Sequence, residues 1–121
     1  MNVLLDTNVV LYLLRGDEQL VELLQGANAY VSVVTRIELF SQAKLGHENE
    51  KLIEAFLEQC TLVQLDPTVQ DLTIGIRKRY GLKVPDAMIA ATAIYLNVQL
   101  ITADKQFGRL KDEVSLLLIE R

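Results

Sequence analysis

Four carboxylates stand where an apolar run stops or a helical run starts. Asp6 ends Val3-Leu4-Leu5 and is followed at once by Thr7, Asn8 and a second apolar run, Val9 to Leu14. Asp104 lies two residues beyond Val98-Gln99-Leu100-Ile101-Thr102. Glu38 follows the β-branched stretch Ala29 to Val34, within Thr35-Arg36-Ile37-Glu38, and Asp86 heads the small-residue run Ala87 to Leu96. Acids crowded at one place repel one another and call for a cation; hard divalent ions take oxygen ligands. Mg²⁺ or Mn²⁺ suits such a set better than softer metals, which favour His and Cys. The chemistry open to it is phosphoryl transfer to water. A metal lowers the pKa of a bound water, polarises the phosphodiester and stabilises the leaving oxygen; two ions about 3.5–4 Å apart would do all three.

Each acid also has a local explanation. Asp6, Thr7 and Asn8 are all good helix caps. Thr35-x-x-Glu38 reads as a capping box. Asp86, after a proline, suits a helix start on dipole grounds, and Asp104 can close a turn on its own backbone. Other chemistries are poorly supplied. One histidine, His47, in an exposed turn, and one cysteine, Cys60, at a helix-to-strand junction, do not make a zinc site. Cys60 reads as a small buried filler, and one cysteine forms no internal disulfide. No Ser–His or Cys–His pair competes as nucleophile, and no Gly-x-x-x-x-Gly-Lys loop is present.

The elements that must position the acids follow from periodicity. Val3–Leu5, Ala29–Val34, Thr61–Leu65, Val98–Thr102 and Val114–Ile119 read as five strands. Helical stretches separate them: Val9–Leu14, Leu20–Leu24, Thr35–Leu45, Glu48–Gln59, a helix opened by Asp66-Pro67 and stopped at Gly81, and Ala87–Leu96. No two strands are joined by a tight hairpin, which implies parallel pairing with helices on both faces. The expectation is one three-layer α/β/α domain over 1–121 with a mostly parallel central sheet and the first strand near its centre. Parallel strands would bring Asp6, Asp104 and the start of the Glu38 helix to one edge, the carboxyl edge where ligands bind in open α/β sheets. Asp86 joins them only if its helix start faces that edge.

Half of the 121 residues are hydrophobic and 23% are charged, which favours a compact core. Twelve Lys and Arg against 16 Asp and Glu give a net charge of −4, which argues against gripping nucleic acid by bulk electrostatics. It leaves room for acids gathered in a metal pocket. No run approaches the roughly 18 apolar residues of a membrane span, and no signal-peptide pattern opens the chain, so a cytoplasmic location is expected. The basic cluster Arg77-Lys78-Arg79-Tyr80, with Lys83, either holds RNA phosphates or is a solvated helix end. Arg109 and Lys111 are weaker candidates for phosphate contact.

Leu5-Asp6-Thr7-Asn8, Thr35-x-x-Glu38-Leu39, Pro85-Asp86-Ala87-x-Ile89-Ala90-Ala91 and Leu100-Ile101-Thr102-x-Asp104-x-x-Phe107 resemble, in order and over essentially the whole chain, the motifs of PIN-domain nucleases. In length and wording the chain most resembles the toxin ribonucleases of bacterial and archaeal VapBC toxin–antitoxin pairs. The resemblance implies a parallel sheet, a Mg²⁺- or Mn²⁺-dependent endoribonuclease acting on RNA, a homodimer, and an antitoxin peptide laid across the active site. By position it makes Asp6 and Asp86 the firmest metal ligands, Glu38 the glutamate of the Thr-x-x-Glu motif and Asp104 the late acid, with Thr7 and Asn8 in support. Many relatives carry a further acid just before the aromatic, where this chain has Gln106; one possible ligand of a second ion is thereby missing. Competing classes fare less well. An aspartyl-phosphate phosphatase wants an acid where Asn8 stands, and a receiver-type signalling module wants a second acid beside Asp6. A non-toxin PIN nuclease and a non-catalytic Mg²⁺-binding interaction module remain as alternatives.

Overall fold

The computed structural model describes residues 1–121. Five parallel strands form one sheet in the order β3-β2-β1-β4-β5. They are β1 (Asn2–Leu5), β2 (Asn28–Ser32), β3 (Thr61–Val63), β4 (Gln99–Thr102) and β5 (Leu116–Leu118). The helices between them are α1 (Thr7–Leu14), α2 (Glu18–Leu23), α3 (Val33–Phe40), α4 (His47–Glu58), α5 (Pro67–Tyr80) and α6 (Val84–Leu96). A short 3₁₀ helix, Lys105–Leu110, follows β4.

The side-chain alternation of a strand divides the core into two layers. Leu4 and Leu100 face one side, where Val69 and Ile76 of α5, Ala87, Ile89, Ala90, Ala91 and Ala93 of α6, and Phe107 cover them. Val3, Leu5, Val31 and Ile101 face the other, against Val9 and Val10 of α1, Leu20, Leu39 and Ile53. β1 is the central strand, and the alanines of α6 let that helix settle closely on the sheet. The three-layer α/β/α expectation therefore stands.

Local capping explains most boundaries. Asp66 accepts from the Val69 N–H at 3.0 Å, Pro67 sits in the first turn, and Gly81 ends α5 in the left-handed region at φ 67°. The second strand is shorter than its β-branched sequence suggests. Ser32 Oγ accepts from the Val34 N–H at 3.1 Å, so Ser32 caps α3, and Val33 and Val34 are already helical. Thr35 is consequently inside the helix, and the Thr35-x-x-Glu38 capping box is not formed. α3 also stops at Phe40 instead of reaching Leu45, and Gly46 caps the start of α4 with His47 as its exposed first residue, not a turn. α6 begins at Val84, three residues ahead of Ala87, which places Asp86 in its first turn.

Candidate active site

Asp6 is the hinge of the site. Its backbone N–H donates to Ile101 O at 3.0 Å, prolonging the β1–β4 ladder by one residue, and its side chain then turns in to cap α1. Oδ1 accepts from the Thr7 N–H at 2.8 Å, and Oδ2 from the Thr102 hydroxyl at 2.6 Å. Capping and a place in the site are thus compatible. Only 6% of Asp6 is exposed. Burial pushes its pKa up to about 6; the Thr102 and Thr7 hydrogen bonds pull it down, and the neighbouring charges of Asp86 and Asp104 raise it again.

Thr102 ties two acids together. Its hydroxyl donates to Asp6 and accepts from the Asp104 N–H at 3.0 Å, and the residue is fully buried at the end of β4. Asp104 caps the 3₁₀ helix, Oδ1 accepting from the Gln106 N–H at 3.0 Å. Sequence reasoning assigns Thr102 no role of its own; the available signal is a polar residue ending an apolar strand.

The remaining acids arrive from opposite layers. Asp86 comes from the first turn of α6, and its carboxyl is raised, first by burial, then by the charges of Asp104 and Glu38, with Lys83 pulling the other way. Gln106 Nε2 donates to Asp86 Oδ2 at 3.3 Å and to Asp104 Oδ2 at 2.8 Å. Glu38, exposed on α3, accepts from the Thr7 hydroxyl at 2.6 Å, and Thr7 Oγ1 shares a second contact of 3.0 Å with Thr35 Oγ1. The buried Thr35 therefore holds Thr7 in place in a way that a cap would not. Asn8 does not cap α1; its Oδ1 is the one buried side-chain polar atom without a partner.

All four predicted acids thus belong to one neighbourhood above the carboxyl ends of β1 and β4, Asp86 included. Their donor chemistry, all oxygen, with mutual repulsion and one deeply buried carboxylate, fits a hard divalent cation. As they stand, however, no three acidic, His or Cys side chains are arranged to hold a metal ion. Each acid is instead turned onto a donor of the chain: Asp6 onto Thr7 and Thr102, Glu38 onto Thr7, Asp86 and Asp104 onto Gln106. Closing them round one ion takes side-chain rotation.

The basic candidates divide. Arg79 pairs with Glu113 at 2.7 Å, Arg109 donates to the Tyr80 carbonyl, Tyr80 donates to Glu113, and Arg77 donates to Leu82 O at 3.1 Å. Arg77 closes the turn between α5 and α6, and the other contacts fasten the end of α5 to the 3₁₀ helix and the residues that follow it. Lys83, exposed at the cap position of α6, has the cationic charge felt at Asp86. Cys60 is half-buried, and burial raises its thiol to about 11, which suits a filler and not a nucleophile. No helix is long and apolar enough to cross a membrane.

A parallel β3-β2-β1-β4-β5 sheet with acids gathered above its central strands is the arrangement of a PIN domain, and the PIN-domain family model matches residues 3–113. The chain belongs to the PIN-domain family, whose members are generally nucleases. Its fold is similar to solved chains of paired systems. The crystal structure of VapBC2 from Rickettsia felis bound to a DNA fragment from their promoter superposes with a TM-score of 0.84 at 20% identity, covering 99% of this chain and 100% of that one. A toxin-antitoxin complex from Klebsiella pneumoniae gives 0.85 at 24% identity, covering 98% and 99%. FitAcB from Neisseria gonorrhoeae gives 0.75 at 25% identity, covering 95% and 96%. No curated protein matches the sequence.

Proposed function

We propose that the chain is a Mg²⁺- or Mn²⁺-dependent endoribonuclease that hydrolyses RNA phosphodiester bonds, acting as the toxin of a toxin–antitoxin pair. The observation that carries this reading is the Asp6–Thr102–Asp104 link at the ends of adjacent parallel strands, with Asp86 joined to it through Gln106. Asp6, Asp86 and Asp104 would hold the ion, with Glu38 completing the set once it leaves Thr7. Bound there, the ion supplies a water of lowered pKa and an electrophilic contact to the phosphodiester. The chain's own part is to orient and to shield. Thr102 and the Thr7 N–H aim the Asp6 carboxylate, and Thr7 and Thr35 steer Glu38. Lys83 offers a cation beside Asp86 for an RNA phosphate, whereas Arg79 and Arg109 are engaged between the end of α5 and the 3₁₀ segment.

The similarity to a toxin-antitoxin complex and to VapBC2 supports a separate antitoxin protein as partner; a homodimeric toxin acting in the cytoplasm is part of the same proposal and rests on the resemblance of the sequence motifs alone. The test is cleavage of a mixed RNA pool by the purified chain with Mn²⁺ or Mg²⁺, with EDTA, and with Asp86→Asn. Metal-dependent cuts that the variant loses are expected, and growth arrest on expression that the variant does not cause. Equal cleavage by wild type and variant would remove Asp86 from the site. Cleavage without toxicity would turn the assignment to a non-toxin PIN nuclease, and ion binding without cleavage to a non-catalytic module.

A further inference from the structure

The net charge of −4 is unevenly distributed. Residues 77–113 hold seven of the twelve Lys and Arg against four acids, a balance of +3; the rest of the chain holds 5 cations and 12 acids, a balance of −7. Of those four acids, Asp86 and Asp104 belong to the site and Glu113 is paired with Arg79. The fold gathers this stretch at one end of the molecule. The end of α5 leads directly into the start of α6 beside the site, and the contacts of Arg109 with Tyr80 and of Arg79 with Glu113 bind the end of α5 to the 3₁₀ segment. Arg77, Arg79 and Arg109 are engaged in holding these elements together. The four lysines are not. Lys78, Lys83, Lys105 and Lys111 are all exposed, and neither ion pair of the chain, Arg79–Glu113 or Arg121–Asp17, includes one. A favourable helix dipole explains Lys78 in the last turn of α5, but not Lys83. Lys83 makes no cap hydrogen bond and adds charge to the positive end of α6, where a cation disfavours the helix. Lys105 follows Asp104 at the start of the 3₁₀ helix, and Lys111 ends it.

We infer that this face is a phosphate track: Lys83, Lys105, Lys111 and Lys78 hold backbone phosphates of the RNA strand where it lies beside the acidic site, across the start of α6, the 3₁₀ helix and the end of α5. The inference rests on the proposed nuclease reading and deepens it, because it states which side of the site the strand occupies. The acidic remainder of the chain repels a polyanion while this face attracts it, so the same division of charge steers its approach. Lysine suits the role. A point charge on a flexible stem meets a phosphate in many geometries, which holds a backbone without reading a base. The arginines keep the elements that carry the lysines together.

The test is the salt dependence of RNA binding. A fluorescein-labelled oligouridylate is titrated with the full chain in EDTA, so that no metal-dependent cleavage occurs, and anisotropy is read at rising KCl. Each phosphate contact to a single strand contributes about 0.7 to the slope of log affinity against log salt. The quadruple variant Lys78→Gln, Lys83→Gln, Lys105→Gln, Lys111→Gln is expected to flatten that slope by about 2.8 and to weaken binding at about 50 mM salt by roughly tenfold or more. Lys44→Gln with Lys51→Gln removes two lysines outside this stretch and is expected to change affinity less than about twofold. All the lysines replaced are exposed and outside the ion pairs, so circular dichroism and melting midpoints should match wild type. An unchanged slope in the quadruple variant, an equal loss in the Lys44 and Lys51 variant, or no binding by wild type at low salt would overturn the inference. So would poly-L-glutamate binding as tightly as the RNA, which would make the face a site for an acidic protein. Cleavage in Mn²⁺ with the same KM in wild type and quadruple variant would overturn the track alone and leave the nuclease reading standing. Lysine-dependent binding without cleavage in Mn²⁺ would sustain the track and overturn the nuclease reading.

Discussion

Asp6→Asn should stabilise the metal-stripped protein at pH 8 while abolishing metal-dependent cleavage. The ionised Asp6 carboxylate is held in a site that disfavours its charge, moving its pKa from 3.8 to about 6, and at about 1.4 kcal/mol per unit this costs the fold about 3 kcal/mol. The cost is borne by a group only 6% exposed, so solvent screening removes little of it. Asn keeps the oxygen that accepts the Thr7 N–H but sets an N–H₂ against Thr102 Oγ1, which already accepts from Asp104 N–H. The Thr102 hydroxyl proton then loses its partner, which takes back about 1 kcal/mol. The expected gain is about 2 kcal/mol, or roughly 6–10 °C in melting midpoint for a chain of this size.

The sign follows from the raised pKa. Above about pH 6, Asp6 is ionised in both folded and unfolded chains and the full cost is present; below about pH 4 it is protonated in both and the cost is gone. The stability gap between variant and wild type should therefore close as pH falls from 6 to 4. The difference between the two proteins is the quantity to follow, because Asp17 and Glu113, held below the usual carboxylate range by hydrogen bonds from Arg121 and from Tyr80 with Arg79, act in the opposite sense. Urea unfolding in EDTA at pH 8, 6 and 4.5 reads it directly. A variant no more stable than wild type at pH 8, or a gap independent of pH, would refute the account of Asp6 as a strained carboxylate. Adding Mn²⁺ should reverse the order, since wild type alone gains a ligand to it.

Thr102→Val keeps the shape of the strand end but removes the 2.6 Å donor to Asp6 and the acceptor for the Asp104 N–H. A loss of about 2 kcal/mol is expected at pH 8 and a smaller one near pH 5, because a hydrogen bond to a charged partner is worth roughly 1.5–3 kcal/mol; an equal loss at both would mean that Thr102 does not serve the charge. Phe107→Ala deletes a fully buried ring behind the 3₁₀ helix that carries Gln106, and should cost about 3–5 kcal/mol in urea unfolding. A cost under about 1 kcal/mol would show that this ring does not anchor the Asp104–Gln106 segment.

Much of the architecture is written locally. Apolar runs of strand length, Asp66-Pro67, Gly81 and the alanines of α6 announce element type and limits, because capping, proline geometry and side-chain alternation act within a few residues. Parallel pairing follows from helices between strands, and with it Asp6 and Asp104 share an edge. Where two local signals compete, the sequence alone misleads: Val33 and Val34 read as strand, yet the Ser32 cap starts α3 and leaves Thr35 inside the helix, where it forms no capping box with Glu38. Long-range partners are invisible to such reasoning. Thr102 meets Asp6 across 96 positions, Gln106 reaches Asp86 on another element, and Arg79 and Arg109 are taken by Glu113 and Tyr80. The sequence by itself determined which residues have the chemistry and at which edge they emerge. Only the tertiary structure decided how each acid is held, because hydrogen bonds between elements depend on the packing that brings them together.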